Sequence, residues 1–173
     1  GAGSLTKVRY LLDALRPSAF VPMDISGAFL RRAAEELAAD YLWLPVHAAC
    51  VDFTHSMPLP EVVPPGRRVA FFPGSSLGNF HPPEAAGFLR MVHDRLGPDG
   101  MLLIGVDTKK PEDILNAAYN DAAGVTAEFN LNLLHRIQRE LGADCDPGGF
   151  GHRAFYDGAR GRVEMHLVSA DRQ

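Results

Sequence analysis

Arg68-Val69-Ala70-Phe71-Phe72-Pro73-Gly74-Ser75-Ser76-Leu77-Gly78-Asn79, residues 68–79, is the stretch that decides the class of the fold. Val69 to Phe72 is an unbroken apolar run, the composition of a strand covered on both faces, as strands of parallel sheets are. Pro73 to Asn79 is a Gly/Ser turn that breaks the run. A helix follows from about Pro83, a proline suited to a first helical turn, to Leu96, and Gly97-Pro98-Asp99-Gly100 stops it. Met101 to Val106 is a second apolar strand, tipped by Asp107. Strand, helix and strand in this order predict a parallel crossover unit.

The same alternation extends towards the N-terminus. Ala19 to Met23 is a short apolar run closed by Asp24, and Ser26 to Ala39 places Phe29, Ala33 and Leu37 at helical spacing. Tyr41 to Ala49 leads into Cys50-Val51-Asp52-Phe53, and a proline-rich loop from Met57 to Gly66 separates it from the strand at Arg68. At the start, Leu5, Val8, Leu11, Leu12 and Leu15 predict a helix over 4–15 with Ser4 as its cap. Four strands alternating with helices predict an α/β, doubly wound, mostly parallel sheet.

Beyond Lys110 the pattern changes. A long helical stretch runs from Pro111 to about Leu141 with a break available at Gly124, and Asp144 to Gly149 is loop. Arg153 to Tyr156 and Arg162 to Ser169 flank Asp157-Gly158-Ala159-Arg160-Gly161 as an antiparallel hairpin. Two domains are therefore expected, 1–110 and 111–173.

With 173 residues, 46% of them hydrophobic, the chain can build a core, and its net charge of −4 provides no basic stripe for a phosphate backbone. A small molecule is the expected partner, not nucleic acid. Cys50 and Cys145 have no paired spacing, which suits a reducing, cytoplasmic compartment. No apolar run reaches the roughly 20 residues that cross a bilayer, so no membrane partner is expected, and the chain is expected to act as a monomer. The seven histidines are scattered, and His47 with Cys50 makes only a lone H-x-x-C, so no metal site is expected.

In an open α/β sheet, ligands lie beyond the carboxyl ends of the strands. Gly1 and Gly3 suit a first turn that approaches a ligand closely, and the helix after them adds its positive dipole end. Such a turn normally follows a buried strand, so the sequence reads as starting just after one. Lys7 is a solvated helix residue unless an acidic cofactor group sits at the helix start. Asp24 falls about 20 residues after Gly3 at a strand tip, where a carboxylate accepts both ribose hydroxyls; a helix cap is the other reading. Asp52 and Phe53, at the next tip, would give an adenine ring an acceptor for its amino group and an aromatic neighbour. These tips are what an adenosine requires. A dinucleotide oxidoreductase prefers a third glycine at position 6, where Thr6 stands, so methyl transfer is favoured over hydride transfer.

Gly-Ala-Gly-Ser-Leu-Thr-Lys at 1–7, Met23-Asp24, Asp52-Phe53, the 71–80 segment Phe-Phe-Pro-Gly-Ser-Ser-Leu-Gly-Asn-Phe and the 119–130 segment Tyr-Asn-Asp-Ala-Ala-Gly-Val-Thr-Ala-Glu-Phe-Asn occur in this order. Together they resemble the histidine-specific Nα-methyltransferases of ergothioneine biosynthesis. The resemblance implies a Rossmann-like class I methyltransferase core that lacks its first strand, followed by the start of a substrate-recognition domain. It implies S-adenosyl-L-methionine as cofactor, contacted by Gly1, Lys7, Asp24, Asp52 and Phe53. It further implies that Asn79 bonds the α-amino and carboxylate region of histidine and that Tyr119 bonds its carboxylate. Residues that recognise the imidazole ring are implied to lie before Gly1 and after Gln173, and no catalytic base is assigned. Read from the residues alone, Asn79 is a turn residue and Tyr119 a core-facing helix residue. The implied product is the trimethylated betaine of histidine, hercynine. A methyltransferase for another amino acid or amine, and an adenosine-binding module without catalysis, are the alternatives. The isolated stretch is expected to be inactive, and unstable because an absent central strand leaves its neighbours unpaired.

Overall fold

The computed structural model describes residues 2, 3 and 5–171, so Gly1 and the Ser4 cap lie outside the described residues. The chain divides into two units, residues 1–107 and 108–173.

In the first unit, helix α1 spans Val8–Leu15 and buries Val8 and Leu12, four residues and one turn apart. It ends at Arg16, whose left-handed backbone (φ 47°) turns its N–H onto the Leu12 carbonyl, and Pro17 prevents continuation. Helix α2, Gly27–Asp40, buries Leu30, Ala33, Ala34 and Leu37, a stripe of helical period that faces the core. Leu5, Val8, Leu12, Ala33, Leu37, Tyr41 and Leu44 form the core cluster, with Phe20, Val46 and Phe71 packed against it. Arg9 pairs with Asp40 at 2.7 Å and lies over the Tyr41 ring, which ties α1 to the end of α2.

Strand β1, Met23–Asp24, pairs in parallel with β2, Ala49–Cys50. The ladder is longer than these two residues suggest. Phe20 N–H donates to Pro45 O, His47 N–H to Phe20 O, Ala49 N–H to Pro22 O and Val51 N–H to Asp24 O. This agrees with the strand expected over 19–23. Strand β3, Val69–Phe72, pairs in parallel with β4, Met101–Ile104, in the register Val69↔Met101 to Phe72↔Ile104. Helix α3, Pro82–Leu96, connects them, with Glu84 accepting the His81 N–H at 2.8 Å and Gly97 (φ 73°) at its end.

Of the doubly wound sheet that the sequence predicts, the parallel strand pairs and their connecting helix are present. Among the described residues, the four strands form two separate parallel pairs, β1–β2 and β3–β4, with no ladder joining them. Among the described residues, each pair therefore has edge backbone groups without sheet partners. Side chains of β3 alternate between the two faces of its pair. Phe71 packs on the α1/α2 cluster, and Phe72 packs on Phe88 of α3 with ring centroids 4.9 Å apart.

In the second unit, the predicted helical stretch over 111–141 is two helices, α4 (Glu112–Tyr119) and α5 (Val125–Leu141), separated at Gly124, whose φ of 74° suits glycine. Asp121 holds the start of α5: its carboxylate accepts the N–H groups of Val125 and Thr126, each at 2.9 Å. Strands β5 (Phe150–Asp157) and β6 (Arg162–Ser169) form the antiparallel hairpin, β5 starting three residues earlier than predicted. Asp157 accepts the N–H groups of Ala159 and Arg160 in the turn, and Gly161 takes a left-handed φ of 66°. Among the described residues, no helix is long and apolar enough to cross a membrane.

Candidate functional site

The parallel pairing of β1 and β2 brings Asp24 and the Asp52-Phe53 loop to the same carboxyl edge, because Asp24 is in register with Cys50 and the chain leaves β2 there. Asp24 is half-buried, and its Oδ1 accepts the Ser26 N–H at 2.9 Å just before α2 begins. This is a local side-chain turn ahead of α2 and not the helix cap that was the other reading: Ser26 is the N-cap residue, and no side chain caps the helix.

Asp52 is more heavily engaged. Its Oδ1 accepts the Thr54 N–H at 3.0 Å and the Thr54 hydroxyl at 2.6 Å, while His55 Nδ1 lies 2.8 Å from Oδ2. The Thr54 hydroxyl, then the Thr54 N–H, then His55, hold this carboxyl below the usual carboxylate range. Thr54 and His55 were not singled out by the sequence reading. The signal available was the Asp-x-Thr spacing, which favours a local side-chain turn.

Phe53 leaves that turn half-buried. Its ring meets Phe72 (centroids 6.0 Å) and Phe88 (6.2 Å) edge-on, and Phe80 joins Phe88 at 5.6 Å. This aromatic cluster anchors the loop after β2 and the loop after β3 to one another. Between Phe72 and Phe80 the chain takes two consecutive left-handed residues, Gly74 (φ 85°) and Ser75 (φ 60°), then a single 3-10 turn, Ser76–Asn79. A non-glycine residue in that conformation is sparsely populated. Gly105, at the end of β4, lies beneath: its N–H donates to Phe72 O, and a Cβ there would come within 3.1 Å of Gly74 N. Neither Ser75 nor Gly105 was singled out by the sequence reading, since strain and close approach depend on tertiary contacts. Asn79 stands exposed at the end of the turn.

Gly3 is exposed with a left-handed φ of 57° and has no heavy atom within 4 Å of where a Cβ would stand, and Lys7 is exposed at the start of α1. Gly1 lies outside the described residues. An apolar groove of about 480 Å³ between α2 and β2, lined by Leu30, Ala34, Val46 and Cys50, contains none of the predicted site residues.

In the second unit, Tyr119 is the last residue of α4, with 38% of its surface exposed, which departs from a core-facing position. Its carbonyl accepts from His152 Nε2 at 2.9 Å. Cys50 and Cys145 are free thiols. Among the described residues, no group of three or more His, Cys, Asp or Glu is arranged to hold a metal ion.

Residues 1–173 match the family described as histidine-specific methyltransferase, SAM-dependent. The chain is 41% identical over 172 residues to a histidine N-alpha-methyltransferase of Mycolicibacterium smegmatis, covering 96% of this chain and 53% of the relative. It is 40% identical over 177 residues to the histidine N-alpha-methyltransferase of Mycobacterium tuberculosis, covering 100% and 54%. It is 30% identical over 186 residues to ergothioneine biosynthesis protein 1 of Neurospora crassa, covering 95% of this chain and 21% of that protein. The chain thus spans about half the length of the two bacterial relatives. On the match along its whole length, it belongs to the histidine-specific, SAM-dependent methyltransferase family.

Proposed function

We propose that this chain is part of an enzyme that transfers methyl groups from S-adenosyl-L-methionine to the α-nitrogen of L-histidine, three in succession, yielding hercynine for ergothioneine biosynthesis. The observation that carries this reading is the convergence of Asp24, Asp52-Phe53 and the Asn79 turn at the carboxyl ends of parallel strands, tied by the Phe53–Phe72–Phe80–Phe88 cluster. We read β1–β2 and β3–β4 as parts of one Rossmann-like sheet, which a strand seated between β1 and β3 would complete. Residues 1–110 are then the cofactor-binding core, and 111–173 belong to substrate recognition.

The residues fit the cofactor. Asp24 retains Oδ2 for the ribose hydroxyls, beside its bond to Ser26. Asp52 fits with less freedom, since both oxygens are already engaged; a carboxylate oxygen accepts more than one bond, so an adenine amino group can still donate to it. Phe53 offers a ring edge or face to the base, and Gly1, Gly3 and Lys7 are assigned to the methionine portion. S-Adenosylmethionine supplies an electrophilic methyl carbon on a sulfonium. The chain's task is to align a neutral amine with that carbon. The Asn79 amide donates to the substrate carboxylate and accepts from the amine, and the Tyr119 phenol donates to the carboxylate without adding a competing charge. Each transfer releases one proton from the amine to solvent.

Labelled methyl transfer by the protein across a panel of amino acids tests the reading, with histidine expected to be the preferred acceptor. Preference for another amino acid overturns the substrate. Calorimetry with S-adenosylhomocysteine and with histidine tests the rest: cofactor binding with no acceptor binding would leave only an adenosine-binding module.

A further inference from the structure

The last carbonyls of a helix have no intrahelical donor, and in α4 side chains from outside the helix supply them. Asn116 O receives the Asn120 N–H and its Nδ2. Tyr119 O receives His152 Nε2, from the face of β5 that looks onto the helices. A carbonyl oxygen only accepts, so the proton of this imidazole sits on Nε2. The opposite nitrogen is defined as well. Asn130 Nδ2, on α5, lies 3.0 Å from His152 Nδ1 and 3.1 Å from His166 O. Two acceptors at one atom of Asn130 fix its amide nitrogen there, so His152 Nδ1 accepts and carries no proton.

The chain of bonds runs from His166 O through Asn130 and His152 to Tyr119 O. Around it, Asn120 pairs with both the N–H and the carbonyl of Ala154, and Asn116 Oδ1 accepts the Tyr156 N–H at 2.8 Å. The end of α4 is therefore bonded to β5 as a neighbouring strand would be. Every bond lies within residues 108–173.

We propose that His152, held as the Nε2–H tautomer by Asn130, is the positioning residue for the Tyr119 phenol. It touches the backbone of Tyr119 and directs its side chain towards the acceptor carboxylate; this rests on the role given to Tyr119 above. Both ring nitrogens of the imidazole are engaged within the protein, by Asn130 and by the Tyr119 carbonyl. The geometry distinguishes this from simple packing, because a packing role has no preference between the two ring nitrogens.

The test compares Tyr119→Phe, His152→Phe, His152→Gln and the double variant Tyr119→Phe/His152→Phe in the full-length protein. His152→Phe should raise KM for histidine about tenfold, leave kcat and S-adenosylhomocysteine affinity within about twofold, and be largely rescued by His152→Gln, whose amide donates from nearly the same place. The double variant should be no worse than Tyr119→Phe, since both changes remove one interaction. A raised KM in Tyr119→Phe with none in His152→Phe overturns the positioning role alone. An unchanged KM in Tyr119→Phe overturns the reading of Tyr119 and this inference with it. Nitrogen NMR of the unaltered protein reads the tautomer directly and needs no variant to fold. It should report His152 protonated at Nε2, and a proton on Nδ1 would overturn the proposal.

Discussion

Asp24 gives one carboxylate oxygen to the Ser26 N–H, which shapes the entry to α2, and the ribose role proposed for this residue falls to the other oxygen. Asp24→Ala should weaken S-adenosylhomocysteine binding tens-fold, the loss expected of charge-assisted hydrogen bonds worth about 1.5 to 3 kcal/mol each. Titration calorimetry measures this, and equal affinity in the variant would reject the ribose role. Asn79, exposed at the end of its turn, predicts the complementary outcome. Asn79→Ala should raise KM for histidine about tenfold or more with cofactor affinity nearly unchanged; steady-state kinetics with each substrate varied separates the two. The sequence marked Asp24 because an acidic strand tip is a local pattern, whereas Asn79 was marked only by the family resemblance of its segment. It did not mark Thr54, His55 or Gly105, whose meaning depends on what lies beside them.

At the scale of elements, α2 depends on the apolar stripe Leu30, Ala33, Ala34 and Leu37. Leu37 has no exposed surface, so Leu37→Ala should cost about 2 to 5 kcal/mol through lost transfer energy and a residual cavity. Denaturant unfolding reads the loss as a lower midpoint with an unchanged slope. Helix α5 depends on Asp121, which the Thr126 hydroxyl and N–H and then the Val125 N–H lower to a pKa of about 2. An unfolded aspartate titrates near about 3.9, so the stabilisation is fully present above about pH 4 and is lost as pH falls towards about 2. Glu140, lowered to about 2 by Arg136 and Arg139, and Glu164, lowered to about 2 chiefly by Arg162 and His166, act over the same range. The exposed ion pairs of Glu140 weaken with salt, whereas the Asp121 bonds to backbone should persist. In Asp121→Asn, the fall in thermal midpoint between about pH 5 and about pH 3 should be smaller than in the unaltered protein. An equal fall would remove Asp121 from the acid response. The helices were legible from periodicity, but the separation of α4 from α5 required Gly124 to be read as a break and Asp121 as the cap that restarts the chain.

At the scale of the molecule, the two parallel pairs β1–β2 and β3–β4 leave strand edges without partners among the described residues, and Val69, Met101 and Leu103 remain 42 to 47% exposed on one face of β3–β4. Residues 1–173 as an isolated polypeptide should therefore unfold in a broad, weakly cooperative transition and bind hydrophobic dye. A sharp calorimetric transition at high temperature would contradict this.

What the sequence determined by itself is the order of elements, the parallel pairing implied by apolar strands alternating with helices, and the acidic residues at strand tips. Those follow from local chemistry: burial period, proline and glycine geometry, and the position of a charge at the end of an apolar run. Tertiary structure decided that Phe53 turns inward to Phe72 and Phe88, that Gly105 supports the Gly74-Ser75 bend, and that His152 and Asn130 take up the end of α4. Each of these joins residues distant in the chain through a contact direction or a hydrogen-bond polarity, and neither is encoded by spacing along a single element.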